Sequence, residues 1–293
     1  VGAEGTVSRE PIVAIVALMA VRQAVPLVLA AMGGILSERS GVVNIALEGF
    51  MLTGAFVGVW AGCVVGPWLG LALALLAGGA LGAVHLVLTQ RFKMNQIVSG
   101  VALNLLALYT STFLLRALFN LAEPPREAKL AQALPMELFI GAALIAPFVL
   151  HWVLYHTVFG LRLRATGEGL PGARMAGVNT MAIRTWGVIL SGVVASSAGA
   201  FLSMSLVGRF TDDMVGGRGF IALAGVVCGR WTPLGAAAAC LAFGAFDALQ
   251  LHLQGTVAIP AEVLRAVPYV LTIVAAAMFR SSPPADLGRD PED

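Results

Sequence analysis

Residues 67–88 read PWLGLALALLAGGALGAVHLVL, and this stretch decides the fold class. It carries no Asp, Glu, Lys or Arg and stays apolar over the length a helix needs to cross ~30 Å of hydrocarbon. A membrane barrel strand is about ten residues of alternating polarity, which this is not. Similar runs give candidate spans at 11–32, 43–62, 67–88, 96–118, 137–157, 184–208, 215–229, 234–252 and 263–279. The seventh, VGGRGFIALAGVVCG, is short and glycine-rich, as a half-helix or re-entrant element would be. Non-helical backbone survives at membrane depth only where protein buries it or it lines a cavity. The expected fold is an all-α polytopic membrane bundle of about 8–10 helices, with broken or re-entrant segments.

The whole chain agrees with that stretch. Of 293 residues, 58% are AVILMFWYC and 12% are charged, with a further 34 glycines. Mean hydropathy is +0.88. Soluble domains run near 25% charged, so a soluble enzyme, a nucleic-acid binder and a disordered scaffold are all excluded. A net charge of +2 offers nothing to nucleic acid. Cys63, Cys228 and Cys240 lie in apolar surroundings without CxxC spacing and read as buried thiols. The opening VGAEGTVSRE has neither a basic n-region nor a cleavage site, so the first run is expected to be a retained helix.

Lys and Arg in short loops set the orientation. The 89–95 connection carries Arg91 and Lys93 without an acid, and 158–184 carries Arg162, Arg164, Arg174 and Arg184 against Glu168 alone. The loops 119–136 and 209–218 are balanced. With the first two in the cytoplasm and nine crossings, the N-terminus is outside and the C-terminus inside. Residues 1–280 form one transmembrane domain, and the polar, proline-rich 281–293 is expected to be a flexible cytoplasmic tail.

Two further patterns bear on function. Ile45-Ala46-Leu47-Glu48-Gly49 recurs as Ile221-Ala222-Leu223-Ala224-Gly225, in opposite orientation and each after a glycine-bearing polar segment. That is the signature of an inverted-repeat core flanking a central pathway. Residues 160–184 are too long for a tight turn. GEGLPG is a poor helix former, and helical character resumes at ARMAGVN, where small residues and Arg174 suit a short helix lying across the bundle.

Intramembrane polar side chains mark the candidate pathway. They are Asn44 and Glu48, which share a helix face, then Asn104, Asp247 and Gln250. Arg22 and Gln23 sit near the middle of the first span, where Arg22 would pair with Glu48 or snorkel. Phe50, Phe56 and Trp60 are read as packing or lipid-facing residues. His85, His151, His156 and His252 share no metal-binding spacing, and no P-loop GxxxxGK[ST] occurs.

The block from Gly33 to Gly49, GGILSERSGVVNIALEG, resembles the permease subunits of bacterial ABC importers. The branch is the nucleoside or simple-sugar type, related to ribose and branched-chain amino acid permeases. The likeness continues through FKMNQIV at 92–98 with Asn104, then Gly160 to Asn179 and GRGFIALA at 217–224. It reappears in GRWTPLG at 229–235 and PYVLT at 268–272. The family's loop reads Gly-Glu-Asn-Pro where this chain has Gly167-Glu168-Gly169-Leu170, with Pro171 one place later.

The resemblance implies a translocation subunit that binds no cofactor of its own. ATP and Mg would act through a cytoplasmic ABC ATPase gripping a coupling segment at 160–182, including Arg164, Gly167, Glu168, Arg174, Ala176 and Gly177. It further implies a second permease, identical or homologous, and an extracytoplasmic substrate-binding protein. The setting is the bacterial inner membrane. Nucleosides come first as substrate, then simple sugars, riboflavin or branched-chain amino acids. The residues alone leave a second class open. In a stand-alone ion-coupled carrier, Glu48, Asp247 or Arg22 would handle the coupling ion and the 158–184 connection would have nothing to dock.

Overall fold

A computed structural model describes residues 9–119, 133–254, Val270, Val274 and 282–289. The long helices are α1 (Arg9–Glu38), α2 (Leu47–Val65), α3 (Pro67–Leu86), α4 (Gln96–Phe119), α5 (Met136–His156), α8 (Thr180–Ala200) and α10 (Pro233–Leu253). Among the described residues these seven are long and apolar enough to cross a membrane. Three shorter helices join them: α6 (Val158–Glu168), α7 (Leu170–Met175) and α9 (Arg218–Cys228). π-type turns extend α3 over Val87–Arg91 and α8 over Phe201–Leu206.

Small residues set how closely the helices approach. With lipid as apolar as leucine, helices associate through close packing at small residues. On α3, Gly70, Ala74, Gly78 and Gly82 are buried along one stripe. A Cβ on Gly78 would overlap Gly192 and Ser196 of α8, and one on Gly199 would overlap the Met51 backbone of α2. At the α2–α3 turn Gly66, with φ 92°, takes a conformation other residues avoid, and Pro67 starts α3 where an N–H would go unused.

Contacts between helices give the chain's course. Gly33 of α1 meets Ser191 and Ala195 of α8, Gly34 meets Val226 of α9, and Gly244 of α10 meets Ala24 of α1. So α1 runs towards an end marked by Arg39, while α8 and α10 run away from it towards an end marked by Leu206. Arg91, Arg162, Arg174 and Arg230 also gather at the Arg39 end.

The seventh expected span is resolved as a half-helix. The eleven residues of α9 cover only about 16 Å at 1.5 Å each. The non-helical 207–217 covers the rest, and Phe210 and Val215 within it are buried. The segment therefore crosses from the Leu206 end to the Arg39 end, part irregular and part helical, and the alternation of spans is kept.

Four expectations change. The first helix continues past residue 32 to Glu38, because Gly33 and Gly34 let α8 and α9 approach it. The second starts at Leu47 instead of residue 43, since Val43–Ala46 is held in irregular backbone by side chains from α3, α4 and α8. The 160–184 connection is helical from Val158, capped by Thr157, whose Oγ1 accepts from Gly160 N at 3.1 Å. Cys63 is exposed, whereas Cys240 is buried.

The polar end is also not free where it is described. Asp286 N donates to Gly167 O at 2.9 Å, Gly288 N to Gly41 O at 3.0 Å, and Asp286 Oδ2 accepts from Leu170 N at 2.6 Å. Backbone donors and a buried carboxylate that satisfy one another hold 282–289 against the bundle. The ninth expected span, 263–279, apart from Val270 and Val274, and the acids and bases of 120–132 lie outside the described residues.

Candidate functional site

Two helix beginnings meet inside the bundle. Glu48, in the first turn of α2, accepts from Gly217 N at 2.8 Å and from Gly219 N at 2.7 Å. Its carboxylate thus caps α9, whose leading N–H groups would otherwise be unpaired at membrane depth. Gly217, with φ 83°, turns the chain into that helix, and Gly219 has room for no side chain beside Glu48. From this meeting point α2 and α9 run in opposite directions. That matches the opposed orientation expected from the repeat, but the register differs. The 45–49 motif straddles the start of α2, whereas 221–225 lies within α9.

Asn44 and Asn104 brace the same junction. Asn44 donates to Ser191 Oγ at 2.8 Å and caps Ala46 N. Asn104 of α4 accepts from Gly49 N at 2.8 Å and donates to Ile45 O at 2.9 Å. Gln96 accepts from Val43 N at 2.7 Å, and His85 contacts both Val43 O and Ser99 Oγ. The irregular 43–46 segment therefore has its polar backbone met by side chains of α3 and α4, as buried peptide groups require.

Asp247 and Gln250 lie apart from Asn44 and Asn104. Asp247 is half-buried on α10 under the electrostatic pull of Arg218, and Gln250 is buried. Arg218 and Asp213 also act electrostatically on Glu48 at the α9 start. Arg22 does not pair with Glu48, whose oxygens are taken by α9. Phe50 is fully buried, Phe56 packs edge-on against Phe210 at 5.3 Å, and Trp60 is exposed, so the three form no cage.

At the Arg39 end, α6 and α7 make a ledge. Arg164 of the expected coupling segment turns inward, donating to Leu154 O at 2.9 Å with its guanidinium over the Tyr155 ring. Gly167 is pressed against Arg39 and Gly41. Glu168 reaches Arg39 at 2.9 Å. Arg174, Ala176 and Gly177 are exposed, and Met175 is 85% exposed beside them. A groove of about 570 Å³ between α6 and α7 is lined by Val158, Leu161, Ala165, Gly172 and Ala176, among others. Exposed apolar surface ringed by polar groups marks a binding face.

A link leads from the ledge into the bundle. Arg39 Nε donates to Trp231 O at 2.9 Å, and the Trp231 indole donates to Glu38. Arg230 and Trp231 both have positive φ, 57° and 53°, a conformation non-glycine residues rarely adopt. Sequence reasoning had not singled out Arg39, Trp231 or Asp286. The signal available for Arg39 was the adjacent Glu38-Arg39 charge pair two residues beyond the end of an apolar run.

Residues 16–276 match the family described as "Branched-chain amino acid transport system / permease component". A nucleoside ABC transporter permease protein of Lactococcus lactis subsp. cremoris is 35% identical over 87% of this chain and 88% of its own. A guanosine ABC transporter permease protein of Bacillus subtilis is 36% identical over 87% of this chain and 89% of its own. A glucose ABC transporter permease protein of Haloferax volcanii is 26% identical over 71% of this chain and 62% of its own. With its bundle of membrane-length helices, the chain belongs to this family of transport-system permease components.

Proposed function

We propose that this chain is the transmembrane subunit of an ABC importer for nucleosides. The carrying observation is the α6–α7 ledge, whose exposed tip stands beside a side chain, Glu168, tied to the α1–α2 and α9–α10 joints. A partner ATPase with bound ATP and Mg would seat on Met175, Arg174 and the neighbouring groove, at a cytoplasmic Arg39 end. The excess of Arg there agrees with the positive-inside rule. A second permease would complete the pathway, and an extracytoplasmic binding protein would deliver substrate at the Leu206 end. The bacterial inner membrane supplies the lipid setting.

The mechanism is alternating access. Closure of the ATPase moves the ledge, and Arg39 carries that displacement to Trp231 and so to α9. Because Glu48 fixes the other end of α9 to α2, the two half-spans move together and the pathway changes the side it faces. The similarity to nucleoside and guanosine permeases supports nucleosides as the substrate class.

The test is uptake of labelled uridine and inosine into proteoliposomes holding the complete importer, with and without ATP, and with Arg174→Glu alongside. ATP-dependent uptake that the variant loses is the expected result. Uptake by this chain alone, driven by an ion gradient and indifferent to ATP, would overturn the reading in favour of a carrier.

A further inference from the structure

Arg22 and Gln23 stand on α1 within the apolar span Val16–Glu38, where polar side chains are costly and mark pathways. Neither is bonded to a described residue. Arg22 Nε and Gln23 Oε1 are both buried and lack a partner. The two residues line a cavity of about 360 Å³ near the Leu206 end, together with Met19, Leu206, Leu251 and His252. That volume is within the range of small-molecule sites.

The two unpartnered atoms set the chemistry that a ligand meeting them would need. Arg22 Nε can only donate, and Gln23 Oε1 can only accept. An anion brings acceptors alone and would leave Gln23 Oε1 unmet. A cation brings donors alone and would face the guanidinium. Two neighbouring hydroxyls, each both donor and acceptor, satisfy the pair together. Met19, Leu206 and Leu251 supply apolar wall for the carbon face of the same ligand.

We propose that Arg22 and Gln23 form a vicinal-diol subsite, occupied by the ribose 2′- and 3′-hydroxyls of the transported nucleoside. This rests on the nucleoside reading. The same chemistry is present in a free sugar, so the experiment must separate the two sources.

In ATP-driven proteoliposomes with a fixed binding protein, uptake of uridine, 2′-deoxyuridine and 2′,3′-dideoxyuridine is compared for the native chain, Gln23→Met and Gln23→Glu. Ribose and glucose are run as a second arm. The native complex takes up uridine with a KM about tenfold below that of the dideoxy compound, the scale of one or two hydrogen bonds. Gln23→Met narrows that ratio towards unity by raising the uridine KM towards that of dideoxyuridine. Gln23→Glu, which keeps the acceptor, retains the preference.

Equal loss for all three nucleosides in Gln23→Met, or a ratio untouched by both variants, overturns the subsite while the importer reading stands. Uptake of free sugar with no nucleoside uptake, and a sugar KM raised by Gln23→Met but not Gln23→Glu, keeps the diol subsite and overturns its nucleoside occupant. ATP-driven uptake of neither class overturns both.

Discussion

Arg39 Nη1 lies 2.9 Å from the Glu168 carboxylate, joining the end of α1 to the last residue of α6. The same guanidinium holds the Trp231 carbonyl. As an ion pair with Glu168 half exposed, it contributes only about 0–1 kcal/mol to stability. Its value lies in where it connects.

Glu168→Ala is therefore expected to leave the melting temperature of the detergent-solubilised importer within a few degrees of native, while ATP consumed per nucleoside rises severalfold. The ratio of phosphate released to uridine accumulated measures this. An unchanged ratio would remove Arg39–Glu168 from the transmission route.

Glu48 makes two charge-assisted hydrogen bonds to the start of α9, each stronger than a neutral one. Glu48→Ala leaves two backbone donors unmet in the bundle and should cost about 2–6 kcal/mol, from about 1–3 for each buried donor left unmet. Glu48→Gln retains an accepting oxygen and should cost roughly half. Thermal unfolding in detergent ranks the three proteins, and equal melting points for the two variants would show the cap to be idle.

Gly199 and Gly141 form a contrasting pair. A Cβ at Gly199 would enter the Met51 backbone, whereas one at Gly141 meets nothing within 4 Å. Gly199→Ala should lose about 1–3 kcal/mol through overpacking. Gly141→Ala, in the body of α5, should gain about 0.5–1 kcal/mol from the backbone freedom removed. Yield and melting temperature of the purified protein test both signs.

Asp286→Ala removes the acceptor for Leu170 N and should loosen 282–289 from the Gly41–Gly167 corner. Hydrogen exchange at the Leu170 and Gly288 amides is expected to speed up about 5- to 30-fold, matching a cap worth about 1–2 kcal/mol. Exchange in the middle of α3 should not change.

What the sequence made legible was whatever depends on continuous apolar length. The cores of seven spans and the shortness of 215–229 follow from hydropathy alone. Asn44, Glu48 and Asn104 stood out because charge or amide within an apolar run is costly, and each has hydrogen-bond partners within the bundle. Their partners were not legible. Glu48 binds backbone 169 and 171 positions away, and such pairing leaves no mark in local composition. The start of α6 was missed for a different reason: Thr157 is a recognisable helix cap, but Gly167 and Gly169 further on drew attention to a loop. The docking of 282–289 was invisible because prolines and acids describe a free tail equally well until Gly41 and Gly167 are placed beside it.

Gly41, Gly167 and Asp286 come from three distant parts of the chain and meet at one corner. During synthesis that corner stays unfinished until the ribosome has passed residue 288, long after α6 and α7 have emerged. A nascent chain can thus insert most of its spans while its ledge still lacks the segment that braces it. Order of assembly is consequently written into the fold: the surface a soluble partner would grip matures after the spans it serves, and a truncated product presents it incomplete.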